Sequence, residues 1–172
     1  MNKMQEIKIE KITLNIGVGE AGDKLDKASR LLKSITGENS IKTRTMKRVP
    51  TWGIRPKLDI ATKVTLRGEK AESVLKRLFG AVDNGIPESK FDAFGNFSFG
   101  IKEYIEIPGV EYDSTIGIIG LEVAVTLKRD GFRIKRRRIN RARIPLRHKI
   151  SKEESIEFIK HKFKVSITSK GG

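Results

Sequence analysis

Hydrophobic and polar positions alternate near the start of the chain. In Lys11-Ile12-Thr13-Leu14-Asn15-Ile16 the apolar residues fall on even positions, which predicts a half-buried strand over 11–16. Ile7 and Ile9 are out of phase with it, so a bulge or break is expected near Glu10. From Asp23 the period changes. Leu25, Ala28, Leu31, Leu32 and Ile35 share one helical face, and Gly37 is placed to end that helix. A short strand around 41–45 leads into a long loop containing Pro50, Trp52, Gly53 and Pro56. Alternation returns over 58–67, with Leu58, Ile60, Val64 and Leu66 on one side. The helix after Gly68 carries a stripe of Ala71, Val74, Leu75, Leu78, Phe79 and Val82, and Asp83-Asn84-Gly85 stops it.

A Gly- and Phe-rich stretch over 91–100 precedes another alternating strand, 121–127, and Asp130-Gly131 offers a turn after it. Ser151-Lys152-Glu153-Glu154 reads as a capping box, in which hydroxyl and carboxylate satisfy orphan amides reciprocally. Ile156, Ile159 and Phe163 would dock the helix that follows. Strands grouped around two strong helices predict an α+β fold: a mainly antiparallel twisted sheet, helices on one face, and a basic C-terminal extension. No internal repeat and no long linker interrupts the chain. A single domain over 1–172 is expected, with 1–127 as its core and 128–172 as its basic C-terminal part.

Charge changes the picture. The 172 residues hold 36 Lys+Arg against 21 Asp+Glu, a formal net charge of +15, which makes a polyanion the default partner. Most of the excess lies in the C-terminal part, densest at Arg133, Lys135, Arg136, Arg137 and Arg138 and continuing through Arg141, Arg143 and Arg147. A second cluster (Lys42, Arg44, Lys47, Arg48, Arg55, Lys57) surrounds Trp52 without an intervening acid. Unbroken runs of one sign cost free energy unless a counter-charge offsets it. Arg136, Arg137 and Arg138 interrupt no apolar stripe, so their charges are expected to be available to a ligand. The absence of Cys excludes thiolate metal sites and thiol catalysis, and no apolar stretch approaches the roughly 18–20 residues of a membrane span. Met1-Asn2-Lys3-Met4-Gln5-Glu6 runs straight into polar residues, so no signal peptide is expected.

The strand pattern predicts which polar residues share a surface. If even positions face the helices, the opposite side shows Lys11, Thr13 and Asn15, then Lys63, Thr65 and Arg67, then Ala124, Thr126 and Lys128. Such a face is small, polar and basic, with almost no acids, and suits hydrogen bonding to phosphates and 2′-hydroxyls. It also matches the ordinary wet face of an antiparallel sheet.

Other motifs carry weaker chemistry. Gly17-Val18-Gly19-Glu20-Ala21-Gly22 is a literal G-x-G-x-x-G between strand and helix. A dinucleotide site would need a buried second strand ending in an acid, and the second strand here, Ile41-Lys42-Thr43-Arg44-Thr45, is basic and half polar. A tight strand-to-helix turn is the better account. His148 and His161 stand alone, so no metal is expected. The Phe residues between 91 and 99 read mainly as core, since Phe97 and Phe99 share a strand face. Trp52 fits either stacking on a nucleotide or anchoring its loop.

Several blocks together carry a family resemblance. They are Ile12-Thr13-Leu14-Asn15-Ile16-Gly17-Val18-Gly19-Glu20, Ile35-Thr36-Gly37, Lys63-Val64-Thr65-Leu66-Arg67-Gly68, Phe94-Gly95-Asn96-Phe97-Ser98-Phe99-Gly100-Ile101 and Asp113-Ser114-Thr115-Ile116-Gly117-Ile118-Ile119-Gly120-Leu121. With the tail from Gly131-Phe132-Arg133-Ile134 through His148-Lys149-Ile150-Ser151, the chain resembles the large-subunit ribosomal protein family called L five (L5), in its archaeal and eukaryotic form. The match runs in order over nearly the whole chain, without the N-terminal helical extension of bacterial members.

The resemblance implies a cytoplasmic protein in the central protuberance of the large ribosomal subunit. Its partners there would be 5S rRNA, the large rRNA, P-site tRNA, other large-subunit proteins and a small-subunit bridge partner, with no cofactor, metal, membrane or catalysis. Carried over by position, Asn15 and Thr65 with Lys63 and Arg67 would meet 5S rRNA, beside Lys11 and Thr13. The loop over 45–57, with Arg48, Trp52 and Arg55, would face tRNA. The acid-free basic run itself, with Arg133, Arg136, Arg137 and Arg138, is expected to clamp large-subunit rRNA. The family often has Gln or Lys after Thr36-Gly37, where this chain has Glu38, so no contact is carried to that position. Two other classes compete: a nucleotide-dependent enzyme using Gly17, Gly19 and Gly22, and a free-standing nucleic-acid-binding regulator.

Overall fold

Seven strands and three α-helices follow one another along the described residues: β1 (Ile7–Gly17), α1 (Asp23–Thr36), β2 (Ile41–Arg44), β3 (Asp59–Leu66), α2 (Gly68–Gly80), β4 (Gly85–Pro87), β5 (Phe97–Ile101), β6 (Leu121–Arg129), α3 (Lys152–Phe163) and β7 (Ser166–Thr168). They are seen in a computed structural model that describes residues 2–168, so the last four positions of the basic C-terminal part lie outside the described residues. Five strands form one sheet of order β2-β3-β1-β6-β5, antiparallel at every pairing. The expected α+β architecture is therefore the observed one.

The central strand is longer than its alternating stretch, because it continues through an irregularity. Ile9 pairs with Leu127 and Lys11 with Thr126, which leaves Glu10 as an extra residue in β1. The added residue restores the phase of Ile7 and Ile9, so Ile9 joins Ile12, Leu14 and Ile16 in the core. A buried side chain of this size contributes about 1.5–3 kcal/mol relative to exposure, and the strand brings four of them to one face.

All three helices add residues to the same core. Leu25, Ala28, Leu31, Leu32 and Ile35 of α1 are buried, as are Ala71, Val74, Leu75, Leu78 and Phe79 of α2. Gly37 ends α1 at φ 70°, returning its N–H to the Lys33 carbonyl at 2.8 Å, a conformation disfavoured for a residue with a Cβ. The capping box of α3 is present: Glu154 N–H donates to Ser151 Oγ at 3.2 Å, and Ser151 N–H donates to Glu154 Oε2 at 3.0 Å. Ile159 is buried, with Ile156 and Phe163 packed against the core more loosely. Phe79 of α2 stacks on Phe99 at 5.6 Å and meets Phe163 edge-on at 5.3 Å, tying α2, β5 and α3 together. A two-stranded parallel ribbon of β4 and β7 was not legible in the sequence, since each strand is three residues long.

Candidate nucleic-acid interface

The strand register sets the polar residues of the outer sheet face in rows. One row runs Ile41, Lys63, Asn15, Glu122 and Gly100 across all five strands. The next holds Thr65, Thr13, Ala124 and Ser98, and beyond it Lys11 stands opposite Thr126. Lys11, Thr13, Asn15, Lys63 and Thr65, five residues expected on this face, are thus neighbours in fact. Among the described residues none of the five makes a side-chain hydrogen bond or ion pair within the chain. The expectation of a face with almost no acids fails at two positions: Glu122 sits beside Asn15, and Glu10 lies next to Lys11 at the bulge.

Glu10 marks one end of this face. Ile9 and Ile12 both point into the core, so the inserted residue turns to the outer side with Lys11. Glu10 is nevertheless only 6% exposed, because Arg136 comes down from the C-terminal segment and pairs with its Oε1. Arg67 stands 3.9 Å from the same oxygen, and Oε2 has no partner among the described residues. Arg136 and Arg67 are thus partly engaged inside the protein. The expectation that 136–138 are charges without a structural task fails at Arg136, since a buried carboxylate cannot be left unpaired without cost. Arg137 donates to the Asn140 carbonyl at 2.7 Å, and among the described residues neither Arg133, Arg137 nor Arg138 pairs with a carboxylate.

The 45–57 loop is a small folded unit. Val49 and Ile54 bridge each other, Lys57 N–H donates to the Thr45 carbonyl at 2.7 Å, and Gly53 turns the tip at φ 65°. Its anchor is Ile54, 5% exposed, whereas Trp52 is 75% exposed. That overturns the anchoring role for Trp52. Arg48 and Arg55 are exposed on the same loop, and no carboxylate pairs with Lys47, Arg48, Arg55 or Lys57 among the described residues. Lys42 differs: its hydrogen bond and ion pair with Asp26 at 2.6 Å raise the amine and lower the carboxyl from their ordinary values. Arg44 is likewise held by Asp59 at 3.1 Å. Glu38 is bound by Lys70, whose hydrogen bond lowers its pKa, so that position is spent internally.

The glycine-rich turn does not cradle an anion. Val18 and Gly19 donate their N–H groups to the Ile60 carbonyl at 3.0 and 2.9 Å, so two of the amides a phosphate would need are occupied. The strands around it are antiparallel, whereas a dinucleotide fold requires a parallel crossover. His148 lies against the Asp130 carbonyl at 2.9 Å, and no cluster able to hold a metal ion occurs among the described residues.

The aromatic segment divides. Phe91, Phe97 and Phe99 are core, as expected, but Phe94 is 57% exposed. Its sequence neighbours hide this, since hydrophobicity alone does not separate a loop tip from a strand.

Comparison with known proteins bears on what these surfaces serve. The family profile described as "Ribosomal protein L5" matches residues 2–55, and the profile for the C-terminus of the same ribosomal family matches residues 59–158. The chain is 54% identical over 165 residues to the large ribosomal subunit protein uL5 of Nanoarchaeum equitans, covering 95% of this chain and 97% of that protein. Against the uL5 of Sulfurisphaera tokodaii it is 49% identical over 168 residues, covering 97% and 95%. Against that of Methanosphaera stadtmanae the identity is 46% over 167 residues, covering 97% and 99%.

Proposed function

Because this chain belongs to the ribosomal protein L5 family, archaeal type, and is a structural, non-enzymatic protein of the large ribosomal subunit, we propose that its outer sheet face binds 5S rRNA and its 45–57 loop contacts P-site tRNA. The observation that carries the rRNA reading is the row of polar side chains whose hydrogen-bonding capacity is unspent. Lys11, Thr13, Asn15, Lys63 and Thr65 lie together on one face, and among the described residues their side chains make no hydrogen bond or ion pair within the chain. A folded helix of RNA offers such a face phosphates and 2′-hydroxyls across a shallow groove. Lys63 and Lys11 neutralise phosphate charge, while the threonines and Asn15 supply neutral donors and acceptors. Arg67 stands at the rim, shared with Glu10.

Arg133, Arg137 and Arg138, with the outward part of Arg136, form a second cationic surface for large-subunit rRNA. The loop reading rests on Trp52, exposed on a folded hairpin between Arg48 and Arg55 with no acid near it in sequence. A flat ring flanked by cations stacks on an unpaired base and tracks its backbone.

The test is a nuclease footprint of the full chain on purified 5S rRNA. Protection of one helical segment, lost on Asn15→Ala or Lys63→Ala, supports the reading. Unchanged protection with both variants, or no binding by the folded wild-type protein, would refute it.

A further inference from the structure

We propose that a cavity at the end of β6, between the 92–96 loop and the basic C-terminal segment, holds an unpaired RNA base, with Phe94 as its stacking platform. The inference rests on the RNA-binding reading above; the cavity adjoins the outer sheet face at Thr126, and no residue of the 45–57 loop lines it. The cavity has a volume of about 650 Å³, within the range of small-molecule pockets. Its apolar wall includes Phe94, Ile144 and Leu146, and its cations are Lys135, Arg143 and Lys149. Among the described residues, no acidic side chain lines it.

Phe94 is presented rather than loosely exposed. The Asp92 carboxylate accepts the N–H groups of Phe94 at 2.8 Å and Asn96 at 2.7 Å, and Asn96 Nδ2 donates to its other oxygen at 2.9 Å. Ser155 Oγ, buried in α3, donates to the Gly95 carbonyl at 2.7 Å. Gly95 adopts φ 75°, and a Cβ there would meet Ile150 Cγ2 at 2.6 Å, so the loop is pressed flat on the C-terminal segment. Lys149 holds its ammonium 4.9 Å from the Phe94 ring centroid. A rigid loop thus carries an aromatic ring that leaves more than half of its residue surface in water. Leu146, 82% exposed, stands on the opposite segment.

Charge decides the occupant. An apolar side chain from a protein would fill the wall but leave Lys135, Arg143 and Lys149 desolvated without a counter-charge. A nucleotide brings both parts at once: a flat apolar base for Phe94 and phosphates for the cations. Any base has the π-face required, so the site would select an unstacked position rather than a sequence.

The test uses the full-length protein with deproteinised 5S rRNA and large rRNA, each assayed separately, Lys63→Ala being read on 5S rRNA. Phe94→Leu keeps an apolar side chain but removes the ring, whereas Phe94→Tyr keeps the ring. Loss of one stacked base should weaken binding of Phe94→Leu about 5-fold or more, with the salt dependence unchanged, while Phe94→Tyr binds as wild type. Arg143→Ala should lower the salt slope instead. In native subunits, p-benzoylphenylalanine at position 94 should crosslink to an rRNA nucleotide. Equal binding by Phe94→Leu and Phe94→Tyr, or a photoadduct only with protein, would overturn the base site. Lys63→Ala serves as the control: if it weakens binding while Phe94→Leu does not, the cavity assignment fails and the sheet-face reading stands. If wild-type protein binds no rRNA, both fail.

Discussion

Arg136 pairs with Glu10 across the end of the sheet, joining the arginine-rich segment to a bulge in the central strand. Glu10 is buried and its Oε2 has no partner among the described residues, so its remaining stabilisation comes from Arg136, with Arg67 at 3.9 Å. The pair separates one arginine of the run from its neighbours. Arg136→Ala should destabilise the fold by about 1–3 kcal/mol, less than for a fully buried pair because Arg67 stays close and Arg136 is half exposed. Arg137→Ala and Arg138→Ala should each change stability by no more than about 0.5 kcal/mol. Urea unfolding of the three single variants measures this, and equal effects at all three positions would contradict a special role for Arg136.

The outer sheet face makes a prediction in the salt dependence of 5S rRNA binding. Asn15→Ala and Thr65→Val should weaken binding by roughly 1–3 kcal/mol each, the cost of leaving an RNA group unpaired, with the slope nearly unchanged. Lys63→Ala should lower the slope by about one unit or somewhat less, as expected for one lost phosphate contact. Affinities measured across a salt series separate the two classes, and equal slope changes in both would count against the division.

For the 45–57 loop, the contrast lies between Trp52 and Ile54. Trp52→Ala, alone or with Arg48→Ala and Arg55→Ala, should leave melting temperature and subunit assembly unchanged, because these side chains are exposed. Peptidyl-tRNA should dissociate faster from purified ribosomes carrying the variant. Ile54→Ala should instead loosen the hairpin and raise its protease sensitivity, since Ile54 is the buried anchor. A normal tRNA off-rate in the triple variant would remove the loop from the tRNA site.

Glu154 links pH to stability. Burial tends to raise its pKa, but hydrogen bonds from Ser151 and from Arg129, with the Arg129 charge, outweigh it and leave the carboxyl below its ordinary value. A depressed carboxylate contributes stability above its unfolded pKa and loses it as pH falls through the folded one. Arg129 is buried and reaches Glu154 Oε1 at 2.6 Å, so protonation leaves that guanidinium with the Lys149 carbonyl alone. Glu154→Gln should therefore be less stable than wild type at neutral pH, and the gap should narrow below about pH 4. Denaturant midpoints at the two pH values test this; a gap that widens in acid would show the sign to be wrong.

Local pattern was enough for the main elements and for part of the candidate interface. Alternation at Ile12, Leu14 and Ile16 and the phase break at Glu10 located the central strand and its bulge, because a strand repeats every two residues and an inserted one shifts that count. The same periodicity put Lys11, Thr13, Asn15, Lys63 and Thr65 on the side away from the helices. Family blocks named the ribosome. What the chain order does not contain is which distant residues meet. The pairing of Asn15 with both Lys63 and Glu122 depends on strand order, and the burial of Glu10 depends on a segment more than a hundred residues later folding back over it. Trp52 and Ile54 are both large and apolar, and only the hairpin closed by Val49 decides which one turns inward. Phe94 is exposed for the same reason: Asp92, Ser155 and Ile150 fix its loop through tertiary contacts, and exposure is a property of those contacts rather than of the side chain.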